Sequence, residues 1–257
     1  MMDSDDLRDR TFVVVAASSG VGARVAQMLA VRGARLVLAG RNPAAFATLA
    51  AEVGGIVVTA DAASFAAVEG AVAAAVRLTG RVDGIVNCAG SLLLKPAHLT
   101  TAQELHDVLT ANLVSAFATV RAGAGAMRTS GGSIVLVSSA AAAIGLPNHE
   151  AIAAAKAGVS GLMRSAAATY APYGIRVNAV APGLVDTPMS QTLTTNELAR
   201  KASVAMHPLG RLGTPDDIAD AVCWLLGPHS AWVTGQVIGV DGGLATLKPR
   251  VKADSRP

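Results

Sequence analysis

The residues of this chain that could do chemistry sit where apolar runs break. Val13-Val14-Val15-Ala16-Ala17-Ser18-Ser19-Gly20-Val21-Gly22-Ala23-Arg24-Val25-Ala26 passes from a β-branched run, through a turn of small residues, into apolar residues of helical period. Such a strand, turn and helix aim backbone N–H groups and a helix N-terminus at one point. That arrangement holds an anion such as a pyrophosphate, although small residues at such a turn also serve packing alone. Further small or polar residues fall just after other apolar runs: Arg41, Asp61, Asn87, Gly90, Ser138, Ser139 and Pro182-Gly183. So many at comparable places are hard to explain by packing.

The elements that position them follow from periodicity and punctuation. Arg35 to Ala39 reads as a second buried strand, and Pro43 then suits the first turn of a helix running to about Glu52. Ile56 to Thr59 is a third strand, and Ser64 caps a helix to about Leu78. Val82 to Val86 is a fourth strand, followed by helical patterns at Thr101 to Leu109 and Leu113 to Met127 with Asn112 between them. Ser133 to Val137, Ile175 to Val180 and Val237 to Val240 complete the strands, and Ala151 to Tyr170 is a helix. Nearly continuous apolar strands alternating with helices imply an α/β fold: a doubly wound parallel sheet of seven strands, helices on both faces. Ligands of such sheets sit at the carboxyl ends of the strands, where the residues above gather. No linker or repeat interrupts the pattern, so 1–257 reads as a single domain with flexible ends at about 1–9 and 247–257.

Composition bounds the function. At 257 residues, 52% hydrophobic and 15% charged, the chain can bury a large core and is not of a disordered type. Its net charge of +3 is carried by Lys248, Arg250, Lys252 and Arg256, offset by Asp254, leaving the remainder neutral. No basic face with interleaved aromatics is visible, which argues against nucleic acid. Cys88 and Cys223 form neither a disulfide framework nor a metal set, in keeping with a reducing cytoplasm; Cys88 reads as a small buried hydrophobe. The acidic start MMDSDDLRDR lacks the pattern of a signal peptide, and no run reaches the roughly 18 apolar residues of a membrane span.

Taken together, these residues resemble the short-chain dehydrogenase/reductase family over essentially the whole chain. The resemblance rests on Ser18-Ser19-Gly20-Val21-Gly22, Asn87-Cys88-Ala89-Gly90, Asn112, Ser138-Ser139 and Lys156. It extends through Arg176-Val177-Asn178-Ala179-Val180-Ala181-Pro182-Gly183 and Val240-Asp241-Gly242-Gly243. It implies a Rossmann-type fold, a nicotinamide dinucleotide, and a homotetramer or homodimer. Cofactor contacts would come from Ala17, Ser18, Ser19, Gly20, Val21, Gly22, Asn87, Ala89, Gly90, Pro182 and Gly183. Asp61 would meet the adenine amino group unless it merely caps a helix, Thr187 the carboxamide, and Lys156 the ribose hydroxyls. A carboxylate closing the second strand would select NAD(H); here Gly40 stands there and Arg41 follows, so NADP(H) is preferred over NAD(H). Ser190 to Met206 would form a substrate lid whose apolar character favours a small, largely apolar molecule.

The sequence departs from the family pattern at two places. Ala16 and Val15 stand where the usual turn has glycine and threonine. Asn112, Ser139 and Lys156 match the family's catalytic set, but Ile152 stands four residues before Lys156, where the family has a tyrosine. Isoleucine cannot exchange a proton. His149, seven residues or two helical turns before Lys156 and so on nearly the same face, is a candidate substitute acid unless it is a helix-start histidine facing solvent or a cap, and Glu150 is a weaker one. The leading expectation is an NADP(H)-dependent oxidoreductase with a modified acid/base site, acting on a carbonyl/alcohol pair or an activated alkene. A non-catalytic dinucleotide-binding sensor or inactive partner subunit is the second reading, favoured by Ile152 and Ala16 together. A lyase or isomerase using His149 or Glu150 is the third.

Overall fold

The structure is a computed structural model and describes residues 6–248. Among the described residues, seven strands form one parallel sheet: β1 (Thr11–Val15), β2 (Arg35–Gly40), β3 (Ile56–Thr59), β4 (Gly84–Asn87), β5 (Gly132–Val137), β6 (Ile175–Pro182) and β7 (Val237–Val240). Their order is β3-β2-β1-β4-β5-β6-β7. The helices are α1 (Gly20–Val31), α2 (Ala47–Val53), α3 (Phe65–Thr79), α4 (Ala102–Leu109), α5 (Ser115–Met127), α6 (Glu150–Tyr170), α7 (Gln191–Thr194), α8 (Glu197–Met206) and α9 (Pro215–Leu226).

The apolar central strands β1, β2, β4, β5 and β6 are explained by burial on both faces, whereas the edge strands β3 and β7 stay partly exposed. Val13 and Val15 face the layer of α3, α5 and α6, whereas Phe12 and Val14 face the layer of α1, α2 and α9. Each such side chain contributes about 1.5–3 kcal/mol when fully buried. The buried polar residue of β1, Thr11, is satisfied by the Asp83 carboxylate and the Thr79 hydroxyl. Alanine and glycine let the helices sit close: a methyl on Gly123 of α5 would stand 2.6 Å from Ile85 on β4. As expected, Ser64 caps α3, its Oγ accepting from the Ala67 N–H.

Three expectations change. The helices about Asn112 are not separated; the backbone runs from α4 to α5 through one widened π-turn at Thr110–Val114. Side chains supply the donors that the widened turn lacks. The Asn112 amide donates to the Val108 carbonyl at 2.9 Å, and the Ser115 hydroxyl to that of Ala111 at 2.7 Å. The helix expected from Pro43 begins instead as a 3₁₀ turn over Pro43–Phe46 and becomes α2 only at Ala47. Within the stretch read as a flexible N-terminal end, Leu7 is fully buried and Asp6 pairs with Arg32 at 2.5 Å. Residues 1–5 and 249–257, including most of the basic tail, lie outside the described residues.

Candidate active site

The sheet order reverses between β1 and β4, whose carboxyl ends are in register at Val15 and Asn87. A crevice opens where the chains leave such a pair in opposite directions. Ala16 begins the turn with φ of 60°, and Ser19 caps α1 by accepting from the Gly22 N–H at 2.8 Å. A methyl on Gly22 would lie 2.5 Å from the Ala16 carbonyl oxygen and 2.7 Å from Ser19 Oγ, so only glycine lets the turn close.

The crevice has two lobes, cavities of about 570 and 290 Å³, which share Ser18, Ser19, Cys88, Ala89, Gly90, Ser91 and Met189 on their walls. The larger lobe reaches Arg41 and Asp61, both exposed. Arg41 makes no ion pair among the described residues. Asp61 closes its own loop, accepting from the Ala63 N–H at 3.0 Å. Gly40 has little room for a carboxylate, because a methyl there would meet the Phe46 ring at 2.9 Å. The smaller lobe gathers Gly20, Val21, Asn112, Ser139, Ile152, Lys156, Pro182, Gly183 and Thr187.

Within the smaller lobe, the buried Lys156 donates from Nζ to the Val137 carbonyl at 2.8 Å. Burial disfavours its ammonium form and pulls its pKa down to about 8. Cys88 shares the wall, but burial pushes its thiol up to about 12. Lys156 is therefore the group on this wall that changes charge near neutrality. Ser139 is half-buried, and its Oγ accepts from the Ala141 N–H at 3.1 Å, leaving its proton free to point into the lobe. Ser138 is structural: its hydroxyl bonds the Lys156 carbonyl at 3.0 Å and the Ser160 hydroxyl at 2.9 Å. Asn112 bonds both the backbone and the hydroxyl of Ser91, which fixes the chain just past Gly90.

Several expected contacts are displaced from the wall. Ala17 is buried with its N–H given to the Ala39 carbonyl, and the Gly22 N–H is taken by Ser19. Asn87 lies beneath the crevice, accepting from the Ala89 N–H at 2.8 Å and donating to Ser115 at 3.2 Å. These three shape the turns rather than line them. His149 lines neither lobe. It is the residue before α6 rather than part of it, so helical phase does not carry its side chain to the Lys156 face, and Nδ1 turns to the Pro147 carbonyl at 2.7 Å. Glu150 is exposed at the first helical position. The sequence reading missed Leu92, Leu184 and Val185 and took Ser190 only as the start of the lid; all four line the smaller lobe. Ser190 had a signal: Thr187 and Ser190 stand at capping-box spacing, and each bonds the other's backbone or hydroxyl.

The geometry fits a dinucleotide lying across the crevice, and comparison with known proteins agrees. Residues 15–245 match the family described as Enoyl-(Acyl carrier protein) reductase. The chain is 39% identical to L-rhamnose 1-dehydrogenase (NAD(P)(+)) of Azotobacter vinelandii, covering 93% of this chain and 97% of that protein. It is 38% identical to Inactive 2-(S)-hydroxypropyl-CoM dehydrogenase 2 of Xanthobacter autotrophicus, covering 84% and 96%. A solved short-chain type dehydrogenase/reductase from Mycobacterium ulcerans superposes with a TM-score of 0.91 at 30% identity, over 95% of this chain and 92% of that one. The chain belongs to the short-chain dehydrogenase/reductase family.

Proposed function

We propose that the protein is an NADP(H)-dependent oxidoreductase acting on a small, largely apolar carbonyl/alcohol pair or activated alkene, with a modified acid/base site. The observation that carries this reading is the single crevice in which the Ser18–Gly20 turn, Ser139 and the buried Lys156 face one another. The nucleotide would supply a hydride donor or acceptor at the smaller lobe. Arg41, exposed at the far lobe beside Gly40, suits a 2′-phosphate, and Asp61 the adenine edge. Thr187 would hold the carboxamide, and Lys156 the ribose hydroxyls.

Ser139 is positioned to donate its hydroxyl proton to a substrate oxygen, and Asn112 holds the Ser91 backbone across from it. Ile152 offers no proton, which favours substrates whose reacting oxygen or carbon takes a proton from Lys156 or from water. The apolar side chains of Leu92, Ile152, Leu184, Val185 and Met189 favour an uncharged partner. Buried free thiols at Cys88 and Cys223 suit a reducing cytoplasm, and a homotetramer or homodimer remains part of this reading.

A second reading, a dinucleotide-binding protein without turnover, is favoured by Ile152, which is 4% exposed and packed with Val108, Ala151 and Ala155. The naming of one relative as inactive is in line with it. Titrating NADPH and NADH while following nicotinamide fluorescence, then adding a carbonyl and enone panel, separates the two. Oxidation of NADPH on the panel supports the enzyme. Tight binding without turnover supports the second reading, and absence of binding by either nucleotide overturns both.

A further inference from the structure

His207, which ends α8, is 3% exposed and uses both ring nitrogens. Nε2 accepts from the Leu184 N–H at 3.1 Å, and Nδ1 lies 2.6 Å from the Ser203 carbonyl. A carbonyl only accepts, so Nδ1 carries the proton, Nε2 does not, and this pair of bonds requires the neutral ring. The ring also occupies the space above Gly183, where a methyl would stand 2.6 Å from Nε2. Beside it the Leu209 N–H donates to the Gly242 carbonyl at 3.1 Å, and the Gly210 N–H to the His207 carbonyl at 2.8 Å. One side chain thus stands where α8, the turn after β6 and the turn after β7 meet.

That junction lies directly behind the active site. Gly183 and Leu184 line the smaller lobe, and the chain then passes through Thr187–Ser190 on the same wall into α7 and α8. We infer that neutral His207 is a positioning residue that ties the α7–α8 segment to the Gly183–Leu184 turn, and that its protonation releases the segment and loosens nucleotide held by that turn. The inference rests on the proposed nicotinamide nucleotide site for its second half only.

Protonating Nε2 turns an acceptor into a donor facing another donor, so the Leu184 bond is lost and its N–H is left unpaired. The surrounding charges offer little compensation. Asp241, on the turn after β7, accepts from the Gly243 and Ala245 N–H groups, both at 2.9 Å. Asp217 is held by Arg211 through two bonds of 2.7 Å and by Thr214. On α8, Arg200 pairs with Asp186 at 3.0 Å and Lys201 with Glu197 at 2.7 Å. The Gly183–Leu184 turn brings no charge. An imidazolium there meets carboxylates already committed elsewhere.

The test compares wild type, His207→Gln and His207→Ala by hydrogen exchange of full-length protein, corrected for the intrinsic rate, and by titration with NADPH and NADH. Glutamine keeps an acceptor within reach of the Leu184 N–H but does not titrate. Between about pH 8 and pH 5.5, protection of wild-type peptides spanning 187–206 should fall about tenfold, with binding of both nucleotides weakening in step. Over the same range the exchange protection of His207→Gln should stay flat, while His207→Ala should exchange fast throughout. A His207→Gln profile that follows the wild type overturns the inference. So does flat wild-type protection, which decides the matter even if a variant fails to fold. Loss of nucleotide binding at every pH would sink the functional proposal, whereas the exchange profile would still report on His207.

Discussion

Ile152 and Lys156 stand one turn apart on α6, 4% and 7% exposed, and line the same lobe of the crevice. An apolar side chain thus sits one turn from the amine in the site, and burial lowers the amine's proton affinity with no carboxylate partner among the described residues to restore it. The pairing sets how the site handles protons and how the folded state responds to pH.

The Lys156 amine makes stability depend on pH in a stated direction. Its pKa falls from the usual 10.5 to about 8 on folding, so between these values the unfolded chain binds more protons than the native one. Stability therefore rises with pH through that window and gains nothing further from this group below about 8. The full effect is about 3 kcal/mol. The buried thiols Cys88 and Cys223 act in the opposite sense at higher pH, since both are pushed up to about 12. Denaturant unfolding of wild type and Lys156→Met should therefore be compared as a difference. That difference should grow from pH 8 to 10.5; a constant difference would remove the buried-ammonium account.

Ala16 stores strain that glycine would relieve. A residue with a Cβ at φ of 60° gives up roughly 1–2 kcal/mol, partly offset by the extra unfolded-state freedom of glycine. Ala16→Gly should raise stability by about 1 kcal/mol and Tm by about 2–4 °C. Gly22→Ala should do the reverse and more, since its methyl meets the Ala16 oxygen. A calorimetric scan showing Ala16→Gly less stable than wild type would contradict the strain.

How much of this was legible in the sequence depends on the range of the forces involved. The seven strands and their parallel arrangement follow from local apolar runs and the crossover rules, and β3, for example, lies at Ile56–Thr59 as read. The turn residues at strand ends were legible because glycine and serine there have few other uses. Asn112 was readable as a break but not as a π-turn, because its local bond to Val108 and that of Ser115 to Ala111 resemble those of an ordinary helix, and its bond to Ser91 forms only in the fold. His149 was misplaced because a single residue at a helix start decides whether helical phase applies. His207 carried no local signal, since its partners Leu184 and Gly183 lie more than twenty residues away and meet it only in the fold.

Arg41 carries the expected nucleotide preference. It lines the larger lobe, exposed and without an ion-pair partner among the described residues, so nothing competes for its guanidinium. Arg41→Ala should weaken NADPH binding about ten- to a hundredfold and leave NADH within about twofold. Raising the salt concentration should shrink the wild-type preference in the same direction. Equal loss for both nucleotides would mean that Arg41 shapes the loop instead of reading the phosphate.

The proposed modified acid/base site makes the sharpest prediction. If hydride chemistry proceeds here but is limited by the missing proton donor, restoring a phenol at 152 should raise turnover of carbonyl substrates far more than that of activated alkenes, whose carbon can take a proton from water. A positioned general acid contributes roughly 10²–10⁴-fold. Lys156, one turn on, would favour the phenolate and bring the phenol's titration towards neutrality. The larger ring must displace packing against Val108, Ala151 and Ala155, costing about 1–3 kcal/mol of stability. Ile152→Tyr should therefore be less stable, faster on carbonyls, and should show a pH dependence of kcat different from that of the wild type. Ile152→Phe should share the loss of stability without the gain in rate. If tyrosine and phenylalanine leave carbonyl turnover equally unchanged while NADPH binding persists, the missing acid is not what limits the site, and the reading without turnover becomes the stronger one.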